Sequence, residues 1–366
     1  MRKGLAKTRF ICLLFGLLLI GGKGRGKVLE IGVHRILITG SEKTLEEIKK
    51  TLTPFLVIEP GSLNRENLLK RKINFQDLVV KCLEKGSRLK IPYSFTFPVE
   101  ENSPVNIEYK YGNQYIVLLR DFSASLDTKT GGIFAEIFIK EYEEQKVNFM
   151  EALGLPASAK YTICTSLISP DGGITSVASG VWSEPEKETG TKENKLDYFL
   201  LSSQSLDKGY RQAYSYDRKS GCGFLTLSLQ HYLLLAPATT LQEISKVLTR
   251  FKGKWEDFLS TWLKKGLEVE YKGGFSFLMS LDSPISLHYE DASKELRVEN
   301  LNLRAPSKDF FLASLSLEEK EKNSRQTVKF SGEVKVPLEG FGIIGEIIPP
   351  TSRDSMEVFV LVVRRW

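Results

Sequence analysis

A chain of 366 residues, 42% hydrophobic and 26% charged, carries enough apolar side chains for a large core, which excludes disorder as its default state. Its formal charge is +6, but residues 1–26 hold Arg2, Lys3, Lys7, Arg9, Lys23 and Arg25 and no acid, so the remainder is balanced and a nucleic-acid partner loses its electrostatic support. Beyond Cys12 the cysteines are Cys82, Cys164 and Cys222, widely spaced, which excludes a CxxC metal site or a dense disulfide framework.

In chain order, MRKGLAKTRFICLLFGLLLIGGKGRG has a basic start, an apolar run from Phe10 to Ile20 and small residues after it. That is a secretory signal pattern, and the run is shorter than the roughly 20 residues a membrane-spanning helix needs. Export is expected. From Gly32, GVHRILITGSEKTLEEIKKTLTPF reads as a strand through Ile36 and Ile38, a turn at Gly40 and Ser41, and a helix whose Leu45, Ile48 and Leu52 share a face. Ser41 or Thr44 is expected to cap this helix and Pro54 to stop it. A second helix and strand follow, with Ile73, Leu78, Cys82 and Leu83 on one side and Ile91 to Phe97 extended. The expected fold class is therefore α+β: a small α+β domain over 27–122, then a mainly β domain over 123–366 with one helical segment at 240–265.

In that second domain Ile133, Ala135, Ile137 and Ile139 alternate with Phe134, Glu136, Phe138 and Lys140, as a strand with one polar-leaning face requires. Further strands are expected at Tyr161 to Ile168, Gly223 to Leu235, Gly274 to Leu281, Ser286 to Tyr289, Glu295 to Leu303, Phe310 to Leu317, Thr327 to Val336 and Val358 to Val363. The polar segment from Trp182 to Phe199 reads as an exposed loop. In the helical segment Leu241, Ile244, Val247, Leu248 and Phe251 form one face, and Trp255, Phe258, Leu259 and Trp262 another, read as core packing. Phe359 to Val363 is apolar on both faces, which suits a strand buried on both sides.

Catalytic motifs are missing. His34, His231 and His288 lie far apart without metal-ligand spacing, and no G-x-S-x-G appears. Glu141, Glu143 and Glu144 read as a solvated charge run. The chain is expected not to be an enzyme and to take no cofactor or metal.

Three pieces, in order, resemble secretins, the ring-forming outer-membrane channel proteins of type II and type III secretion and type IV pilus systems. RILITGSEKTLEEIKKTL is similar to the strand-turn-helix of their ring-building domains. LDTKTGGIFAEIFIKEYEEQKVNFMEALGL is similar to the opening of the pore domain, with Asp127, Glu136, Glu141, Leu153 and Gly154 on the pattern. QTVKFSGEVKVPLEGFGIIGEIIPPTSRDSMEVFVLVVRRW resembles the family's ending, carried by Gln326, Thr327, Gly332, Val336, Pro337, Gly345 and Glu357, with Gly340 and Gly342 in the same turn. The helical segment 240–265 has no place in the pattern. The resemblance implies a homo-oligomer in the outer membrane with a periplasmic N-terminal domain, other secretion or pilus components as partners, and β-barrel strands from 126 onward. Residues Ile36 to Ile48 would pack between neighbouring subunits. Glycines at Gly340, Gly342 and Gly345 would supply positive φ or close backbone approach. The alternative from the residues alone is a soluble periplasmic or secreted β-rich binding module; a secreted hydrolase would need a carboxylate pair brought together by folding.

Overall fold

The computed structural model describes residues 27–57, 64–112, 114–152, 157–185, 192–206, 225–248, 250–307, 309–322, 327–338, 340–347 and 354–365. The expected signal at 1–26 and Leu153, Gly154, Cys222 and Gln326 lie outside the described residues. The elements are β1 (Val28–Gly40), α1 (Glu42–Leu56), α2 (Arg65–Lys70), α3 (Phe75–Glu84), β2 (Arg88–Glu100), β3 (Val105–Tyr111), β4 (Tyr115–Asp127), β5 (Gly132–Glu143), α4 (Glu144–Ala152), β6 (Tyr161–Pro170), β7 (Gly173–Pro185) and β8 (Lys192–Leu206). They continue with β9 (Leu225–Leu235), α5 (Ala238–Leu248), α6 (Trp255–Leu263), β10 (Glu268–Met279), β11 (Ile285–Glu290), β12 (Lys294–Arg304), β13 (Phe310–Glu321), β14 (Thr327–Pro337), β15 (Phe341–Ile347) and β16 (Ser355–Arg365).

The expected α+β class, a small α+β domain followed by a β domain with one helix, is overturned. The chain is mostly β and builds two eight-stranded antiparallel sheets: sheet I in the order β15-β16-β9-β10-β2-β1-β8-β7 and sheet II in the order β14-β13-β12-β11-β3-β4-β5-β6. β1 sits between β2 and β8, and β2 pairs with β10, so the N-terminal strands complete a sheet whose other members come from far along the chain. The physical reason is burial. A strand and a helix cannot cover both faces of β1, where Leu29, Ile31 and Val33 point one way and Ile36 and Ile38 the other. The segment expected as a loop from Trp182 to Phe199 is largely the β7 and β8 hairpin.

Facing sides of the two sheets share one core, in which Phe95, Phe97, Leu227, Leu229 and Phe277 of sheet I meet Tyr109, Val117, Phe122, Val298 and Leu317 of sheet II. The far side of sheet I is covered by helices. Ser41 caps α1 by accepting from the Thr44 amide at 3.2 Å, and Leu45, Ile48, Leu52 and Leu56 bury against β1 and β8 with Leu78 and Cys82 of α3. Pro54 lies within α1 and the helix ends two residues after it. Over β9 and β16 lie Leu241, Ile244 and Leu248 of α5 and Trp255, Phe258, Leu259 and Trp262 of α6. The core reading of that aromatic stripe holds, as does burial of the last strand on both faces: Phe359, Leu361 and Val363 face sheet II, and Val358, Val360 and Val362 face the helices.

Both strand orders read alike from either end. Each first-half strand has a counterpart eight strands later, so a pseudo-two-fold axis passes between β2 and β10 and between β3 and β11. Thr96 pairs with Ser276 and Glu108 with His288, the two pairs sharing one sequence offset. Under that relation TLEEIKKTL of α1 matches TLQEISKVL of α5, and SPVNIEY entering β3 matches SPISLHY entering β11. Backbone details repeat as well. Asn102 and Asp282 take φ of 62° and 57°, and Asp121 and Asn300 take 48° and 53°. The Asp121 amide donates to Asn106 Oδ1 at 3.0 Å, as the Asn300 amide does to Ser286 Oγ at 3.2 Å. The chain is an internal repeat, with 28–206 and 225–365 as its halves. The helical segment near 240–265 thereby finds its place as the counterpart of α1 and α3.

Candidate functional site

Apolar strands rarely carry a charge facing inward, and β1 does. Arg35 points between the sheets with its side chain 1% exposed. Its Nε and Nη2 donate to Asp197 of β8 at 3.1 and 2.7 Å, and its Nη1 donates to Glu141 of β5 at 2.5 Å, so the guanidinium ties sheet I to sheet II. The Tyr93 hydroxyl donates to the other Glu141 oxygen at 2.9 Å, and the Tyr161 and Phe199 rings flank the cation at 4.7 and 5.0 Å. Burial works against the charged guanidinium, but Asp197 and Glu141 more than offset it and hold Arg35 above its ordinary range. Burial pushes the Glu141 carboxyl up, against the pull of Arg35. The reading of Glu141 as a solvated charge is corrected; Glu143 does stay near the surface, paired with Lys146 and Lys160.

The second half repeats this cluster with one substitution. By register, His231 of β9 stands where Arg35 does, Glu319 of β13 where Glu141 does, Glu357 of β16 where Asp197 does, and Phe359 where Phe199 does. The His231 ring stacks on Phe359 at 4.1 Å, with Nδ1 3.4 Å from Glu319 and Nε2 3.4 Å from Glu357. Those are ion-pair distances without hydrogen-bond geometry. Gly273 replaces Tyr93 opposite this position, and a cleft of about 360 Å³ lies beside the ring, lined in part by Lys272, Lys294 and Glu321. Burial favours the neutral imidazole, but the two carboxylates outweigh it and raise His231 above its ordinary value of 6.5.

A histidine raised in the folded state contributes stability that is complete below the unfolded value near 6.5 and is lost as pH rises through the folded value. His231→Arg is therefore expected to remove a loss of stability on the alkaline side that wild type shows. Urea midpoints of both proteins at pH 6 and pH 9 check this; parallel pH dependence would contradict it. Arg35 keeps its proton throughout this range, and each cluster ties a strand of sheet I to one of sheet II.

The residues singled out from the sequence fall in three places. Ile36, Ile38 and Ile48 are buried inside the chain's own helix-covered core, where they fasten α1 to sheet I; no part of them is left for a neighbouring subunit. Gly40 ends β1 just before the Ser41 cap. Asp127 shapes the β4–β5 turn, accepting from the Lys129 amide at 3.1 Å and the Thr130 hydroxyl at 2.5 Å, and Glu136 lies exposed on the outer face of sheet II, accepting from Ser123. Thr327, Gly332, Val336 and Pro337 belong to β14, the edge strand of sheet II, while Gly342 and Gly345 belong to β15, the edge strand of sheet I. Gly340 sits in the turn between them. The structure thus brings the closing motif together at one sheet-to-sheet junction and leaves the other pieces apart.

None of Gly340, Gly342 and Gly345 has positive φ, so that half of the expectation fails. Close approach holds at Gly342, where a Cβ would stand 2.6 Å from Val334 and 2.9 Å from the Lys335 carbonyl oxygen. Gly342→Val is expected to cost about 1–3 kcal/mol by overpacking, whereas Gly345→Ala, with nothing within 4 Å of its Cβ, should be near neutral. Thermal unfolding of the two variants checks the contrast.

Of the inter-sheet residues, Glu357 was singled out only as part of the closing motif and His231 only as a histidine without metal-ligand spacing; Arg35, Asp197 and Glu319 were not singled out as sites. The available signal was a charged or titratable residue inside an apolar strand, as in VHRILI and LQHYLLL.

No family model and no curated protein matches the chain. Among solved structures, the secretin InvG of the Salmonella SPI-1 type III secretion injectisome, residues 176 to its end in the open gate state, matches with a TM-score of 0.28 and 12% identity over 58% of this chain and 69% of that one. Agreement at that level does not establish a shared fold. The two sheets do not close into a barrel: no ladder joins β6 to β7 or β14 to β15 among the described residues.

Proposed function

We propose that the chain is a secretin-like component of a secretion or pilus-export assembly, associating with copies of itself and working by packing and gating, not catalysis. The observation supporting this reading is the position of the closing motif. The described residues of VPLEGFGIIGEII, 336–338 and 340–347, lie where two unpaired strand edges, β14 and β15, come together, and the internal repeat supplies a second such end at β6 and β7. Unpaired edges invite strand addition. A contact from the β14–β15 end of one copy to the β6–β7 end of the next uses a different patch on each copy, and such contacts generate rings or filaments.

A specific observation also favours the soluble binding module. Sheet I is covered on both sides, and the outer face of sheet II exposes Glu136, Thr162, Cys164, Ser166, Arg297, Thr327, Lys329 and Ser331. A membrane barrel needs an apolar outer band about 25 Å tall. In the proposed assembly the described strands accordingly stand in water, and the outer-membrane association would come through the complex. The native size of the protein extracted in mild detergent separates the two readings.

A further inference from the structure

Two helices of the first half have no counterpart in the second: α4, between β5 and β6, and α2, in the layer over sheet I. In the first half the connection from α1 to α3 carries the extra helix α2, whereas α5 and α6 are joined by the short stretch 249–254. Helix α2 seats on the first half's sheet junction. Leu68 Cδ1 lies 3.2 Å from where a Gly132 Cβ would be, Arg65 lies beside Gly131, and Lys72 lies beside Gly172 in the β6–β7 turn.

Gly132 pairs with Pro170 as Phe310 pairs with Pro337, so the equivalent ground in the second half is Asp309, Phe310 and the β14–β15 turn. No helix of this chain covers it among the described residues, and a groove of about 890 Å³ stands open there. Phe251, Phe310, Leu338 and Ile343, all half-buried, form its floor. By register Phe310 stands where Gly132 does, so an occupant meets a ring there instead of bare backbone.

The rim decides what kind of occupant fits. Arg250 and Lys252 are exposed and make no ion pair among the described residues, and Lys335 holds its ammonium 4.0 Å over the Phe310 ring. Of the acids among the described lining residues, Glu333 is paired with Arg304, which leaves Asp309 against three cations. We propose that this groove is a docking site for a short amphipathic helix of a partner protein, its apolar face on the Phe251–Phe310 floor and its acidic residues toward Arg250, Lys252 and Lys335. It takes the place that α2 fills in the first half.

The test is fluorescence anisotropy with the full chain and two labelled model helices, one with leucines at helical spacing and glutamates on the other face, the other with lysines in place of the glutamates. The acidic helix is expected to bind, more weakly as salt rises. Binding should fall at least about tenfold in Phe310→Ser and in the Arg250→Glu, Lys252→Glu double variant. The double variant changes exposed side chains only, and its urea midpoint should match wild type. Absence of acidic-helix binding, equal binding of the lysine helix, or binding unchanged in the double variant would each overturn the proposal. The groove adjoins the β14–β15 end that the copy-to-copy contact would use, so the helices are titrated against chain held monomeric by dilution, where a failure to bind overturns the groove without bearing on the ring.

Discussion

Arg35→Leu is expected to lower the unfolding free energy by about 3–5 kcal/mol, the cost of removing one partner from a buried ion cluster. The substitution leaves Glu141 and Asp197 facing each other between the sheets, with side chains 0% and 2% exposed, and among the described residues only the exposed Lys160 still acts on Glu141. Most of the cost is that uncompensated charge, because the lost attraction was itself offset by desolvation. Replacing all three residues by apolar side chains of similar volume should recover much of the loss. Urea unfolding of the single and triple variants measures both effects. If Arg35→Leu alone were neutral, the cluster would not be what clamps the first half's sheets.

Trp255→Ala should cost a similar amount, about 3–5 kcal/mol, as large aromatic truncations in closed cores do. Trp255 is fully buried, stacks on Phe258 with centroids 5.3 Å apart and meets Phe341 edge-on at 5.0 Å. Phe341 opens β15, so the cavity would also loosen the β14–β15 junction. The variant is expected to show a lower urea midpoint and a weakened near-ultraviolet aromatic signal. A change under about 1 kcal/mol would mean the site collapses around the missing ring.

Much of the local structure was legible. Alternation in IFAEIFIKE and helical spacing in TLEEIKKTL mark β5 and α1, because a one-sided apolar face leaves a period in the sequence. Pairing was not legible, since β1 joins β8 and β2 joins β10 across long separations that no local pattern encodes. The internal repeat was available in TLQEISKVL and SPISLHY, but the halves differ in length and helix content, with α2 and α4 lacking counterparts. The inter-sheet clusters were hidden for a different reason. Arg35 and His231 read as isolated polar residues until folding brings Glu141 and Glu319 across from the other sheet.

The measurement that tests the central claim most directly is the native mass of the protein taken from membranes of expressing cells in mild detergent, examined unheated by electrophoresis and negative-stain microscopy. The account predicts a species of many copies arranged as a ring or short filament. A folded monomer in detergent and in detergent-free buffer alike would contradict it and leave the β-rich binding module in its place.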